Sequence, residues 1–196
     1  VITTPADISV SAVDATGVAA SNEAISSFLA GASAVDNVDG VISEITNDAP
    51  DQFGVGSTTV TFSAVDSLGN VGTATAVVVV ADLAPPSLSV PDGIIVPAAN
   101  SAGTPATVTS IQELLGAATA TDNVDETVTI TNDAPDMFPL GTTTVTFTAV
   151  DAAGNSVTGN TGVTVSDLNG PSVTAPLNVT IAAVDADDDC GGMSRF

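Results

Sequence analysis

Carboxylates and carboxamides are the groups whose spacing in this chain could do chemistry. Asp36-Asn37-Val38-Asp39 recurs as Asp122-Asn123-Val124-Asp125, the Asp66 and Asn70 pair recurs as Asp151 and Asn155, and Asp82 recurs as Asp167. These positions fall at expected strand ends and in loops. Two chemistries suit them. Asp and Asn can bond to their own backbone and close tight turns. The same oxygens can also ligate calcium, a hard cation that takes about 6–8 oxygens from carboxylates, amides and carbonyls. The candidate ligand set is therefore Asp36, Asn37, Asp39, Asp66, Asn70, Asp82, Asp122, Asn123, Asp125, Asp151, Asn155 and Asp167. None of these loops has the Asp-x-Asp-x-Asp-Gly spacing of an EF-hand, so turn chemistry and a cation site both stand.

Composition removes most other chemistry. The chain has 196 residues and a net charge of −22, from 23 acidic residues against a single base, Arg195. It has no His, Lys, Trp or Tyr, and its only Cys is Cys190. Without imidazole there is no Ser-His-Asp or Cys-His nucleophile, and without lysine no Schiff base. A surface this anionic lacks the clustered Lys and Arg that neutralise a nucleic-acid backbone, so neither nucleic acid nor anionic lipid is an expected partner. The longest apolar run, 76–81, is far short of the ~20 residues that span a bilayer, so no membrane insertion is expected. The mean hydropathy of +0.44 rests on Val and Ala and argues against disorder. No basic leader opens the chain at Val1, which reads as a processed or excised start.

The acids are positioned by an internal repeat. Residues 36–39 map onto 122–125 with a shift of 86, whereas 45–51 map onto 130–136 and 56–66 onto 141–151 with a shift of 85, so one residue is lost between the two blocks. Beyond 170 the pattern restarts. The expected organisation is a first repeat at 1–85, a second at 86–170, and a fragment of a third at 171–196. At roughly 85 residues each repeat is large enough for its own small core.

Alternation in Thr58-Val60-Phe62-Ala64 and through 144–150 is that of half-buried strands, rich in the Val and Thr that favour them. Strands are expected near 6–12, 32–35, 41–46, 57–65 and 72–81, and near 93–98, 118–121, 127–131, 142–150 and 157–166. Residues 21–31 read as a short helix with Ile25, Phe28 and Leu29 on one face. Its partner at 110–116 has a capping box in Ser110 and Glu113. Phe53, Phe62, Phe138 and Phe147 are the expected core anchors. The fold class is all-β, two tandem antiparallel sandwiches, each with a short helix, plus one extra strand.

Taken together, Asp-Asn-Val-Asp, Thr-Asn-Asp-Ala-Pro, the Gly-x-Thr-Thr-Val-Thr-Phe to Asp-x-x-Gly-Asn run and the closing Val-x-Val-x-Asp resemble the hyalin repeat (HYR) family. They lie at 36–39, 46–50, 53–70 and 78–82, and at 122–125, 131–135, 138–155 and 163–167. The resemblance implies immunoglobulin-like modules, found in tandem in extracellular and cell-surface proteins and associated with adhesion. The added helix is similar to bacterial versions. Many HYR repeats carry a cysteine pair, whereas these two have none.

In an immunoglobulin-like sandwich the loops at 36–39 and 66–70 share one end. The second repeat's Asp122, Asp125, Asp151 and Asn155 would then face the linker at 82–86, where a bound calcium would stiffen the joint. Like charges within ~5 Å raise one another's pKa unless a cation intervenes. The orphan strand of 171–196 could complement another subunit's sheet edge, giving head-to-tail self-association; a longer multi-repeat chain is the other reading. Cys190 is either free or pairs between chains, and Asn178-Val179-Thr180 fits a glycosylation acceptor. The expected function is a non-enzymatic extracellular structural module, a filament subunit or the stalk of a surface adhesin. A spacer or binding module attached to a secreted enzyme is the alternative. A paired-carboxylate active site is disfavoured because the pairs occur in both repeats alike.

Overall fold

The computed structural model describes residues 1–175; the third-repeat strand, the acidic run at 185–189, Asn178 and Cys190 lie outside the described residues. The first repeat comprises β1 (Ile2–Thr3), β2 (Ile8–Ser11), β3 (Val18–Ala19), α1 (Glu23–Leu29), β4 (Ser33–Asp36), β5 (Gly40–Ile42), β6 (Ile45–Asn47), β7 (Gln52–Phe53), β8 (Gly56–Val65) and β9 (Val71–Ala81). The second comprises β10 (Ser87–Ser89), β11 (Ile94–Pro97), β12 (Thr104–Pro105), α2 (Thr109–Gly116), β13 (Thr119–Thr121), β14 (Thr129–Asn132), β15 (Met137–Phe138), β16 (Gly141–Val150) and β17 (Ser156–Ser166).

Each repeat is built on one four-stranded sheet, β2-β9-β8-β6 in the first and β11-β17-β16-β14 in the second. The expected alternation is present: Val60, Phe62 and Ala64 of β8 are buried, and so are Val145, Phe147 and Ala149 of β16, with hydroxyl residues between them. β1-β4-β5 and β10-β13 make the smaller facing sheets. All four predicted Phe anchors are fully buried. Burying a large apolar side chain contributes about 1.5–3 kcal/mol, so these rings carry much of a core otherwise made of Val and Ala. Both helices turn their apolar face inward: Ile25 and Phe28 join the first core, Ile111 and Leu114 the second.

Three details depart from expectation. First, the main sheets are mixed, because β2 runs parallel to β9 and β11 parallel to β17. The opening strand of each repeat begins antiparallel on the small sheet, then crosses to the far edge of the large one. Pro5 and Pro91 stand at the crossings, where a residue lacking an N–H costs no ladder bond. The carboxylate of Asp7 accepts the Val77 amide at 2.8 Å just before β2 begins to pair. Second, the Ser110–Glu113 capping box does not form. α2 starts at Thr109, its N-cap Val108 makes no side-chain bond, and Ser110 already lies inside the first turn. Third, the single strand expected at 41–46 is two, β5 and β6, and the second repeat has no counterpart of β5. Gly40, at φ +74°, closes the β4–β5 hairpin. The one-residue loss falls after Asp125, leaving no glycine at the matching place, so that loop is free for another use.

Candidate cation site at the joint between the repeats

The site begins where β9 ends. Asp82 follows it, its Oδ1 accepting the Ala84 amide at 3.1 Å, and Pro85-Pro86 restrict the linker that leads away. The second repeat meets this point with two loops. In the first, Asp122 Oδ1 accepts the amides of Val124 (2.8 Å) and Asp125 (3.1 Å). In the second, Asp151 Oδ1 accepts the Asn155 amide at 2.7 Å and its Oδ2 the Asn155 Nδ2 at 2.9 Å. Asp125 ties the loops together, its Oδ2 accepting the Ala152 amide at 2.8 Å. Turn chemistry is therefore present throughout.

Carboxamides bridge the repeats. Asn155 Nδ2 donates to the Asp82 carbonyl at 3.2 Å. Asn123 Nδ2 donates to the Val13 carbonyl at 3.0 Å and reaches that of Ala12 at 3.4 Å, where β2 leaves the sheet beside β9. Val124 packs against the first repeat's core. The loop released by the missing hairpin thus docks onto its neighbour.

What turn chemistry leaves over is a concentration of unpaired charge. One carboxylate oxygen from each of Asp82, Asp122 and Asp125 lies within 4.8 Å of the others. Asp82 is only 9 % exposed. Its Oδ2 and that of Asp122 are buried without a hydrogen-bond partner, and Asp151 beside them is buried as well. No Lys, Arg or His occurs in residues 1–175. Burial first, and then the charges of Asp122, Asp151 and Asp125, push the Asp82 carboxyl above its ordinary range, against the pull of the Ala84 N–H.

The rest of the predicted set lies elsewhere. Asp36, Asp39, Asp66 and Asn70 form the equivalent turns at the far end of the first repeat, where Asn37 and Val38 are exposed. There Ser67 donates to both oxygens of Asp39, through its amide at 2.9 Å and its hydroxyl at 2.8 Å. Ala152, the counterpart of Ser67, has no hydroxyl, so Asp125 Oδ1 is not claimed in this way. That difference can be found by comparing positions 67 and 152. The Ala12 and Val13 carbonyls carried no sequence signal. Asp167 repeats the Asp82 turn, accepting the Asn169 amide at 3.2 Å, but lines a separate hollow with Ala98, Asn100, Ser101, Leu140 and Asn169.

Hydrogen bonding sets other acids apart from Asp82. The Thr61 amide, 2.7 Å from Asp48 Oδ1, holds that carboxyl below its ordinary value, and Asn70 does the same for Asp66. Carboxyl ¹³C titration in chelator is expected to place Asp48 and Asp66 below the usual ~3.9 of aspartate and Asp82 above it. The contributions to stability have opposite signs. Those of Asp48 and Asp66 are present above the unfolded value and lost as pH falls through their lower folded values. Ionised Asp82 opposes folding, and that penalty disappears as pH falls through its raised value.

Comparison with known proteins adds the family. Residues 81–165, which take in Asp82 and both joint loops, match the HYR domain model. The chain is 36 % identical over 142 residues to hyalin of Lytechinus variegatus, covering 69 % of this chain and 26 % of that protein. It is 34 % identical over 152 residues to hyalin of Strongylocentrotus purpuratus, covering 74 % of this chain and 12 % of the relative. It thus spans about a quarter or less of the length of these relatives. Among solved structures the protocadherin GammaB4 extracellular domain overlaps 82 % of this chain and 31 % of its own at 15 % identity, with a TM-score of 0.35, an overlap too partial to inform function. Residues 81–165, the joint and most of the second repeat, are thus similar to an HYR domain.

Proposed function

We propose that the chain is a non-enzymatic, rod-forming segment of an extracellular or cell-surface adhesion protein, such as a fibre subunit or an adhesin stalk. The observation that carries this reading is the joint. Asn123, Asn155 and Val124 clasp the second repeat directly onto the end of the first, which is how a spacer holds direction. The far end of the first repeat carries the same acid motif but keeps the β4–β5 hairpin. Asp36 braces that loop as Asp122 braces its counterpart, yet Val38 is 82 % exposed where its equivalent, Val124, is partly buried. Similarity to hyalin supports an adhesive, extracellular setting. Head-to-tail self-association through residues 171–196 remains part of this proposal.

Two measurements test the reading. In ¹⁵N relaxation the two repeats are expected to tumble as one body, and Asn123→Ala combined with Val124→Ser to uncouple them while each stays folded. Antibody raised against the chain is expected to label surface or matrix fibres; label confined to the cell interior overturns the proposal.

A further inference from the structure

We propose that the joint binds one calcium ion through the carboxylates of Asp82, Asp122 and Asp125, locking the second repeat onto the end of the first. Acids in loops are common and by themselves say little. Here the decisive observation is a buried ligand atom with nothing to bind. Asp82 is 9 % exposed, and its Oδ2 has no donor. Asp122 Oδ2 likewise has no donor, and one carboxylate oxygen from each of Asp82, Asp122 and Asp125 lies within 4.8 Å of the others. A buried polar atom without a partner is destabilising, more so if charged, and proteins rarely retain one without an ion, a water or a functional reason.

The remaining oxygens fit the same picture. Asp82 Oδ1, Asp122 Oδ1 and Asp125 Oδ2 are engaged by backbone amides. These bonds fix each carboxylate's orientation and leave one oxygen per residue for a ligand. Asp151 sits alongside with both oxygens turned to Asn155, adding negative charge without taking a coordination place. The ligands come from both sides of the joint, Asp82 from the first repeat and Asp122 and Asp125 from the second. An ion there favours the docked arrangement over the separated one by its differential affinity. Three protein carboxylates with water completing a shell of about 6–8 oxygens correspond to the affinity of extracellular calcium modules, about 10⁻⁴–10⁻³ M. Magnesium, which needs a small near-octahedral cage and dehydrates reluctantly, fits less well.

The test uses the full chain stripped with EDTA. Calcium at 10 times its dissociation constant is expected to raise the melting temperature by roughly 5 °C, with magnesium giving less and sodium at matched ionic strength least. Asp82→Asn is expected to melt no lower than the parent in EDTA, since it removes an unpaired buried charge, and to lose the calcium response. Asp125→Asn loses it too, which keeps the test decisive if Asp82→Asn folds poorly. Glu113→Gln, on the exposed side of α2, retains it. Titration calorimetry is expected to find one calcium per chain at the joint. An equal response to magnesium or sodium overturns the site, as does a calcium response that survives both Asp82→Asn and Asp125→Asn. Relaxation measured in EDTA separates this failure from failure of the spacer reading: a joint already rigid without calcium, and indifferent to it, removes the ion and leaves the rod.

Discussion

Phe62→Ala is expected to destabilise the first repeat by about 3–5 kcal/mol, the range for removing a buried aromatic ring. Phe62 is fully buried in β8, where truncation leaves a cavity the surrounding Val and Ala side chains are too small to fill. The ring also meets Phe28 of α1 edge-on, with centroids 5.9 Å apart and planes at 65°, a geometry worth about 0.5–1.5 kcal/mol beyond area burial. The whole stability of an 85-residue domain is roughly 4–13 kcal/mol, so one substitution brings it close to unfolding. Phe147 occupies the same place in the second repeat, but the residue matching Phe28 is Leu114. Phe147→Ala therefore loses no ring pair and is expected to cost less. With no Trp or Tyr to report, the transitions are best followed by circular dichroism or amide NMR signals in denaturant. Phe62→Leu, which leaves a smaller void but also loses the ring pair, is expected to cost less than Phe62→Ala.

The contrast between Phe28 and Leu114 illustrates what was legible in the sequence. Period-two alternation located the long strands because each buries one face, and the Phe anchors stood out because a sandwich built from Ala and Val has few other large side chains. The parallel pairing of β2 with β9 left no such mark. Alternation reports which side of a strand is buried, not the direction of its neighbour, and only Pro5 and Pro91 hint at the crossing. The capping box failed because the N-cap of α2 is Val108, two residues before Ser110, which places Ser110 inside the first turn. At the joint, the immunoglobulin-like topology assigned Asp122, Asp125, Asp151 and Asn155 to the end facing the linker; in the structure Asn155 bonds the Asp82 carbonyl and Asp122 and Asp125 each bring an oxygen within 4.8 Å of Asp82. The motif repeat could not separate this group from Asp36, Asp39, Asp66 and Asn70, whose motif is the same. What separates them is burial by the neighbouring repeat, the exchange of Ser67 for Ala152 and the loss of one residue after Asp125.

That dependence of packing on single backbone positions leads to a second large effect. Gly103→Ala is expected to destabilise the second repeat by roughly 3 kcal/mol or more, a size reserved for mutations with an identifiable steric cause. Gly103 has φ +121°, and a Cβ there would lie 1.9 Å from the backbone carbonyl oxygen of Phe138. The conformation alone costs an L residue about 1–3 kcal/mol. The lower entropy of alanine in the unfolded chain returns only about 0.4–1 kcal/mol, so strain wins even before the clash is counted. Relief requires β12 to move away from β15, where Thr104 pairs with Phe138. That movement displaces a fully buried ring and the Thr104 hydroxyl, which donates to the Pro97 carbonyl at 2.7 Å. Gly154→Ala separates the two causes. Gly154 has φ +93° with open space around it, so alanine there is expected to cost only the conformational strain. Denaturation of the two variants side by side should show Gly103→Ala as clearly the worse, with the first repeat's transition changed little. Equal losses would mean that β12 yields easily and that the Phe138 edge of the core is softer than its burial implies.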